Sequence, residues 1–115
     1  EFAGIVADVG TRVTAVEAGQ PVMGIVGGGA YAERVVTHER MLLPVPSGVA
    51  LADAAAIPEV FITAFDALVV QGGLTSGRTA LVHAGASGVG AGGLASVTPS
   101  IVMRRSSLVA GDKDH

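Results

Sequence analysis

The chain opens with short apolar stretches punctuated by Gly or Pro, then changes to a helical rhythm. Phe2 to Val9 alternates loosely and is rich in Ile and Val, which predicts a strand ended by Gly10. Val13 to Val16 leads into a turn at Glu17-Ala18-Gly19-Gln20-Pro21. Val22 to Val26 predicts a second strand, broken by Gly27-Gly28-Gly29. Ala30 to Thr37 predicts a third, with Tyr31, Glu33 and Val35 on one face and Ala32, Arg34 and Val36 on the other. Met41 to Val45 predicts a fourth, closed by Pro44 and Pro46. Short strands with this punctuation suit a small antiparallel barrel or sandwich.

The period changes at Ser47. Leu51 to Ala56 is helix-forming, and Pro58 suits a helix start. Phe61, Ile62, Phe65, Leu68 and Val69 then recur at helical spacing until Gly72-Gly73 ends the helix. After a turn over Leu74 to Arg78, the apolar run Thr79 to His83 predicts a buried strand. It enters the Gly-rich turn Gly85-Ala86-Ser87-Gly88-Val89-Gly90, followed by small residues as at a helix opening.

A strand, a Gly-rich turn and a helix start form the arrangement that holds a dinucleotide pyrophosphate. The phosphates lie on backbone N–H groups at the positive end of the helix dipole. Here Gly85 would allow the tight turn. Ser87, Gly88 and Val89 would offer N–H groups, and Gly90 would let helix and strand pack closely. By itself, Gly85-x-Ser87-x-x-Gly90 departs from G-x-G-x-x-G in its middle position, and a plain strand–helix turn is the alternative reading. Beyond Gly90 the pattern fades. Gly92 and Gly93 each cost a helix roughly 1 kcal/mol relative to Ala, and Pro99 stops any helix. Ile101 to Met103 and Leu108-Val109 are strand-like, and Asp112 to His115 reads as a solvated tail. A second strand ending in an acid about 20 residues past the loop is not recognisable.

Composition narrows the function. The chain has 115 residues, the length of one domain, with 17 glycines and only 3% aromatic residues. Its small side chains bury little area each, so stability per residue should be modest. The net charge is −3 and the only basic pair is Arg104-Arg105, which argues against a nucleic-acid partner. No apolar run reaches the roughly 18 residues of a membrane span. The absence of Cys rules out disulfides and thiolate zinc ligation and fits a cytoplasmic protein. Three scattered His make no metal constellation.

Four segments, in order, carry a family resemblance: Gly27-Gly28-Gly29-Ala30-Tyr31-Ala32-Glu33, Met41-Leu42-Leu43-Pro44-Val45-Pro46, Ala54-Ala55-Ala56-Ile57-Pro58-Glu59, and Leu81 through Gly90. Across roughly residues 1 to 90 the chain resembles the zinc-free quinone oxidoreductases of the medium-chain dehydrogenase/reductase superfamily, in the branch that contains the p53-inducible quinone oxidoreductase. The resemblance implies a mixed α/β fold: a partial GroES-like β-rich domain over 1–57, a linking helix and the first strand and Gly-rich loop of a Rossmann domain over 58–90, and a divergent tail over 91–115. It also implies a fragment, beginning after the natural start and departing from the pattern after Gly90.

Further implications concern chemistry. NADPH would be the cofactor, held by Gly85, Ser87, Gly88, Val89 and Gly90, with Thr63 near the nicotinamide. The partner would be a small-molecule quinone, and an intact member would be a homo-oligomer. A zinc-free enoyl or alkenal reductase of the same superfamily is the alternative, and a non-catalytic remnant is another. By itself the chain is expected to be inactive and poorly soluble, since a lone first strand leaves an open edge. Each site residue has a plainer reading too. Thr63 could bond back to its own helix backbone, His83 could be a structural strand-end His, and Gly27–Gly29 with Tyr31 could be a simple hairpin loop. Glu59 and Asp66 read as solvated or capping acids. No residue is assigned as catalytic.

Overall fold

A computed structural model describes residues 1–96. Three strands, β1 (Phe2–Ile5), β2 (Pro21–Gly24) and β3 (Leu42–Pro44), form one antiparallel sheet in that order. Phe2 lies opposite Gly24 and Val22 opposite Pro44. Central β2 buries Val22 and Met23. Pro21 sits at its first residue, where a missing N–H is tolerated, and its carbonyl accepts the Val45 N–H at 3.2 Å. The predicted turn before β2 closes with the Gln20 N–H on the Glu17 carbonyl at 3.2 Å, and Gly19 takes the positive φ of 88° that this turn requires. A side chain at Gly24 would run into the Met41 carbonyl oxygen and crowd the Phe2 ring, so glycine here lets the sheet close over Phe2.

Two of the predicted strands are not strands. Residues 30–37 bend at 31–33 and join no ladder, and Tyr31 and Val36 are fully exposed. Ala30 and residues 32–37 line one side of a groove of about 510 Å³ that β1 lines on the other, with Ile5, Val13 and Val16 among its lining. Residues 79–83 likewise pair with nothing among the described residues. The physical reason is shared: alternation prepares a segment for a sheet, but a strand exists only where a neighbour completes its hydrogen bonds. The predicted Phe2–Val9 strand is also shorter, ending at Ile5.

Three helices complete the architecture: α1 (Leu51–Ala54) against β1, α2 (Pro58–Phe65) against β2, and α3 (Gly88–Ser96) against α2. Ala54, Pro58 and Ala64 are buried where these elements meet. Beyond Phe65, α2 widens into a π-helical turn over Asp66–Gln71. The Gly72 N–H reaches back five residues to the Ala67 carbonyl at 3.0 Å, and the Gln71 amide donates to the Asp66 carboxylate. Gly73, at φ 61°, ends the element as predicted. The outer face of α2 is apolar and open: Phe65 is 52% exposed.

Gly92 and Gly93, which carry a propensity cost, lie inside α3. They form the seam with α2. A methyl on Gly92 would lie 3.2 Å from the Val60 carbonyl oxygen, and one on Gly88 would lie 3.2 Å from Val60 Cγ1. Close backbone approach therefore outweighs the propensity cost of glycine. The expectations for Pro99, Ile101–Met103, Leu108-Val109 and Asp112–His115 lie outside the described residues. No helix among those described is long and apolar enough to cross a membrane.

Candidate functional site

The site is built where residues 83–87 turn into α3. Ala84 adopts φ 54°, uncommon for a residue with a Cβ, so the turn holds local strain. Its carbonyl accepts the Ser87 N–H at 2.9 Å. Ser87 then caps α3: its Oγ accepts the Gly90 N–H at 3.1 Å, and its carbonyl accepts the Ala91 N–H at 2.8 Å. Two N–H groups at the positive helix end, those of Gly88 and Val89, have no partner among the described residues, and both residues are exposed. Gly90 is buried beneath the turn. A methyl there would overlap the Ala84 carbonyl oxygen and lie 2.9 Å from Gly85 Cα.

This arrangement is chemically suited to an anion. A phosphate approaching α3 along its axis meets two free donors and a favourable dipole. Of the three residues expected to offer N–H groups, Ser87 has its own committed to Ala84 and works through its hydroxyl as a cap. The preference of Ser for N-caps was a signal for that role.

The structure brings Gly85, Ser87, Gly88, Val89 and Gly90 together in one turn. Thr63 stands on the neighbouring helix α2, exposed, one residue before the buried Ala64. Its hydroxyl makes no hydrogen bond among the described residues, so the back-bonded alternative is not what forms. His83 is exposed at the mouth of the turn. Asp66 is engaged with Gln71, and Glu59 is exposed. No three His, Cys, Asp or Glu side chains gather as a metal site among the described residues.

Two carboxylates have roles that sequence patterning did not reveal. Glu39 Oε2 accepts the N–H groups of Thr14 at 2.8 Å and Ala15 at 2.7 Å, fastening the loop beside the groove. These backbone hydrogen bonds, with smaller help from His38 and Arg40, hold its carboxyl below the ordinary carboxylate range. Glu1 Oε2 accepts the Glu59 N–H at 3.0 Å, at the start of α2. Separations of 24 and 58 residues left no local signal for either contact.

Comparison with known proteins agrees with this architecture. Residues 1–47 match the alcohol dehydrogenase GroES-like domain. An alcohol dehydrogenase superfamily protein from Novosphingobium aromaticivorans superposes with a TM-score of 0.81 at 30% identity, covering 88% of this chain and 32% of that one. The JamJ enoyl reductase gives 0.72 at 26% identity, covering 88% and 31%. The quinone oxidoreductase from Thermus thermophilus, whose structure is also known in complex with NADPH, gives 0.64 at 31% identity, covering 74% and 29%. In sequence, erythronolide synthase EryA2 of Saccharopolyspora erythraea is 46% identical over 78% of this chain and 2% of its own length. Quinone oxidoreductase-like protein 2 of Mus musculus is 36% identical over 96% of this chain and 31% of its own. The chain thus has a mixed α/β fold, with a GroES-like β-rich part first, that is similar to solved structures such as the alcohol dehydrogenase superfamily protein. It spans a third or less of the relatives it matches.

Proposed function

We propose that this chain is part of a zinc-independent, NADPH-dependent reductase, with residues 1–57 as the GroES-like side, 58–90 as the start of the cofactor domain and 91–115 as a divergent tail. The observation that carries this reading is the pair of free Gly88 and Val89 N–H groups at the capped end of α3. The turn fits a pyrophosphate because Gly85 and Gly90 bring its backbone against the helix and leave no Cβ between them. Bound NADPH would supply a hydride. The chain's part would be to hold the phosphates on Gly88 and Val89, to brace the turn through Ser87 and Gly90, and to offer the Thr63 hydroxyl to the nicotinamide ring.

A quinone is the first acceptor, supported by the likeness to quinone oxidoreductase-like protein 2 and to the Thermus enzyme. A conjugated enoyl group is the second, favoured by the likeness to the erythronolide synthase and the JamJ enoyl reductase. The intact reductase would be a cytoplasmic homo-oligomer. Fluorescence titration of the full chain with NADPH, using NADH as control, tests the reading. Saturable NADPH binding supports it, and a folded chain that binds neither nucleotide refutes it. Turnover by an intact homologue, with 1,4-naphthoquinone against a crotonyl thioester, then separates the two acceptors.

A further inference from the structure

We infer that Ala84 is a positioning residue for the phosphate donors: its backbone, held at positive φ, anchors both ends of the segment that presents the Gly88 and Val89 N–H groups. This rests on the cofactor reading of residues 85–90. The Ala84 carbonyl is the point on which the turn closes. It accepts the Ser87 N–H at 2.9 Å, immediately before the two donors. Immediately after them, Gly90 is buried against the same carbonyl, so closely that a methyl on Gly90 would overlap it. The Gly90 N–H donates to Ser87 Oγ at 3.1 Å, which ties the two ends to each other. Gly88 and Val89 therefore stand on a segment fixed at both sides to one peptide group. The direction of that group follows from the backbone angles of Ala84.

Those angles are unusual. Among the described residues, Ala84 alone has a β-carbon at positive φ, 54°, and every other such position is glycine. A β-carbon is disfavoured there. Packing does not offset the cost, because Ala84 is exposed. What the β-carbon does is narrow the range. At positive φ it leaves only the small left-handed well, whereas glycine moves over a much wider region. Ala84 thus gives up stability and keeps its carbonyl in one orientation, so the two donors are placed before a phosphate arrives.

Two substitutions separate this role from ordinary stability. Ala84→Gly removes the strain and the confinement together. Ala84→Asn keeps a β-carbon in a residue that tolerates positive φ, so it eases the strain and retains the confinement. Both variants should unfold at a urea concentration at least as high as the wild type. The full chain in all three forms is titrated with NADPH, followed by nicotinamide fluorescence, and with inorganic pyrophosphate, followed by the Gly88 and Val89 amide NMR signals. Ala84→Gly is expected to bind both ligands about threefold more weakly, the scale of glycine's extra backbone freedom. Ala84→Asn should bind them as the wild type does. Weaker binding without loss of stability is a result that a purely structural role does not give. If Ala84→Gly binds as tightly as the wild type, loses stability along with affinity, or is matched in its weakened binding by Ala84→Asn, the inference is overturned. A folded wild-type chain that binds neither ligand instead brings down the cofactor reading itself.

Discussion

Gly90 and Gly93 stand three residues apart on α3, yet replacing each with Ala should move stability in opposite directions. With no contact to consider, Gly→Ala inside a helix gains about 1 kcal/mol. At Gly93 the new methyl would lie 3.5 Å from Leu68 Cδ1 and 3.7 Å from Ala64 Cβ, which is ordinary contact. Its burial adds up to about 0.8 kcal/mol, so Gly93→Ala should stabilise by about 1 kcal/mol or slightly more. At Gly90 the methyl would overlap the Ala84 carbonyl oxygen and crowd Gly85 Cα. Both obstacles are backbone, so no rotamer change relieves them and the turn itself must shift. Overpacking of this kind costs about 1–3 kcal/mol, which leaves a net loss of up to about 2 kcal/mol. Urea denaturation followed by far-UV circular dichroism should therefore order the chains Gly93→Ala, wild type, Gly90→Ala. NADPH titration should show binding kept in the first variant and lost in the last. A Gly90→Ala chain as stable as Gly93→Ala would refute the close packing of turn and helix on which the site depends.

Ser87→Ala removes the cap and strands the Gly90 N–H, so α3 should lose about 1 kcal/mol, read as faster amide exchange at Gly90. Ser87→Asp should keep the cap yet weaken NADPH binding, because its charge faces the phosphate; unchanged binding would argue against phosphate at this end of α3. Glu39 has a folded-state pKa below its unfolded one, so its contribution is present above the ordinary carboxylate range and is lost as pH falls through the lowered value. Followed by NMR, the Thr14 and Ala15 amide signals should shift with a midpoint below that range, and Glu39→Ala should abolish the transition.

What was legible in the sequence was local. Phe2 to Ile5, the turn at Gly19, Pro58 at a helix start and the stop at Gly72-Gly73 all follow from residues acting on near neighbours. The stretches 30–37 and 79–83 have strand chemistry, but strand formation depends on a neighbour that alternation cannot name. The glycines of α3 were misjudged for a related reason. Propensity counts Gly92 and Gly93 as defects, whereas the seam with Val60, Ala64 and Leu68 needs them. The turn at 85–90 was recognisable as a unit, but the division of labour inside it was not. The capping bond of Ser87 and the long-range contacts of Glu1 and Glu39 depend on side-chain placement in three dimensions.

The widened turn at Asp66–Gln71 has a consequence for how the chain tolerates changes in length. A π turn is equivalent to one extra residue accommodated within a helix. Deleting a single residue between 66 and 71 should therefore leave a continuous α-helix whose later positions keep their direction around the axis. Gly72 and Gly73 would still turn the chain toward the same side, and the route through residues 74–82 to Ala84 would start from nearly the same place. Single deletions here and in the exposed turn at Ser76-Gly77 should both be tolerated: the loop absorbs the missing residue, and the π turn gives up its extra one.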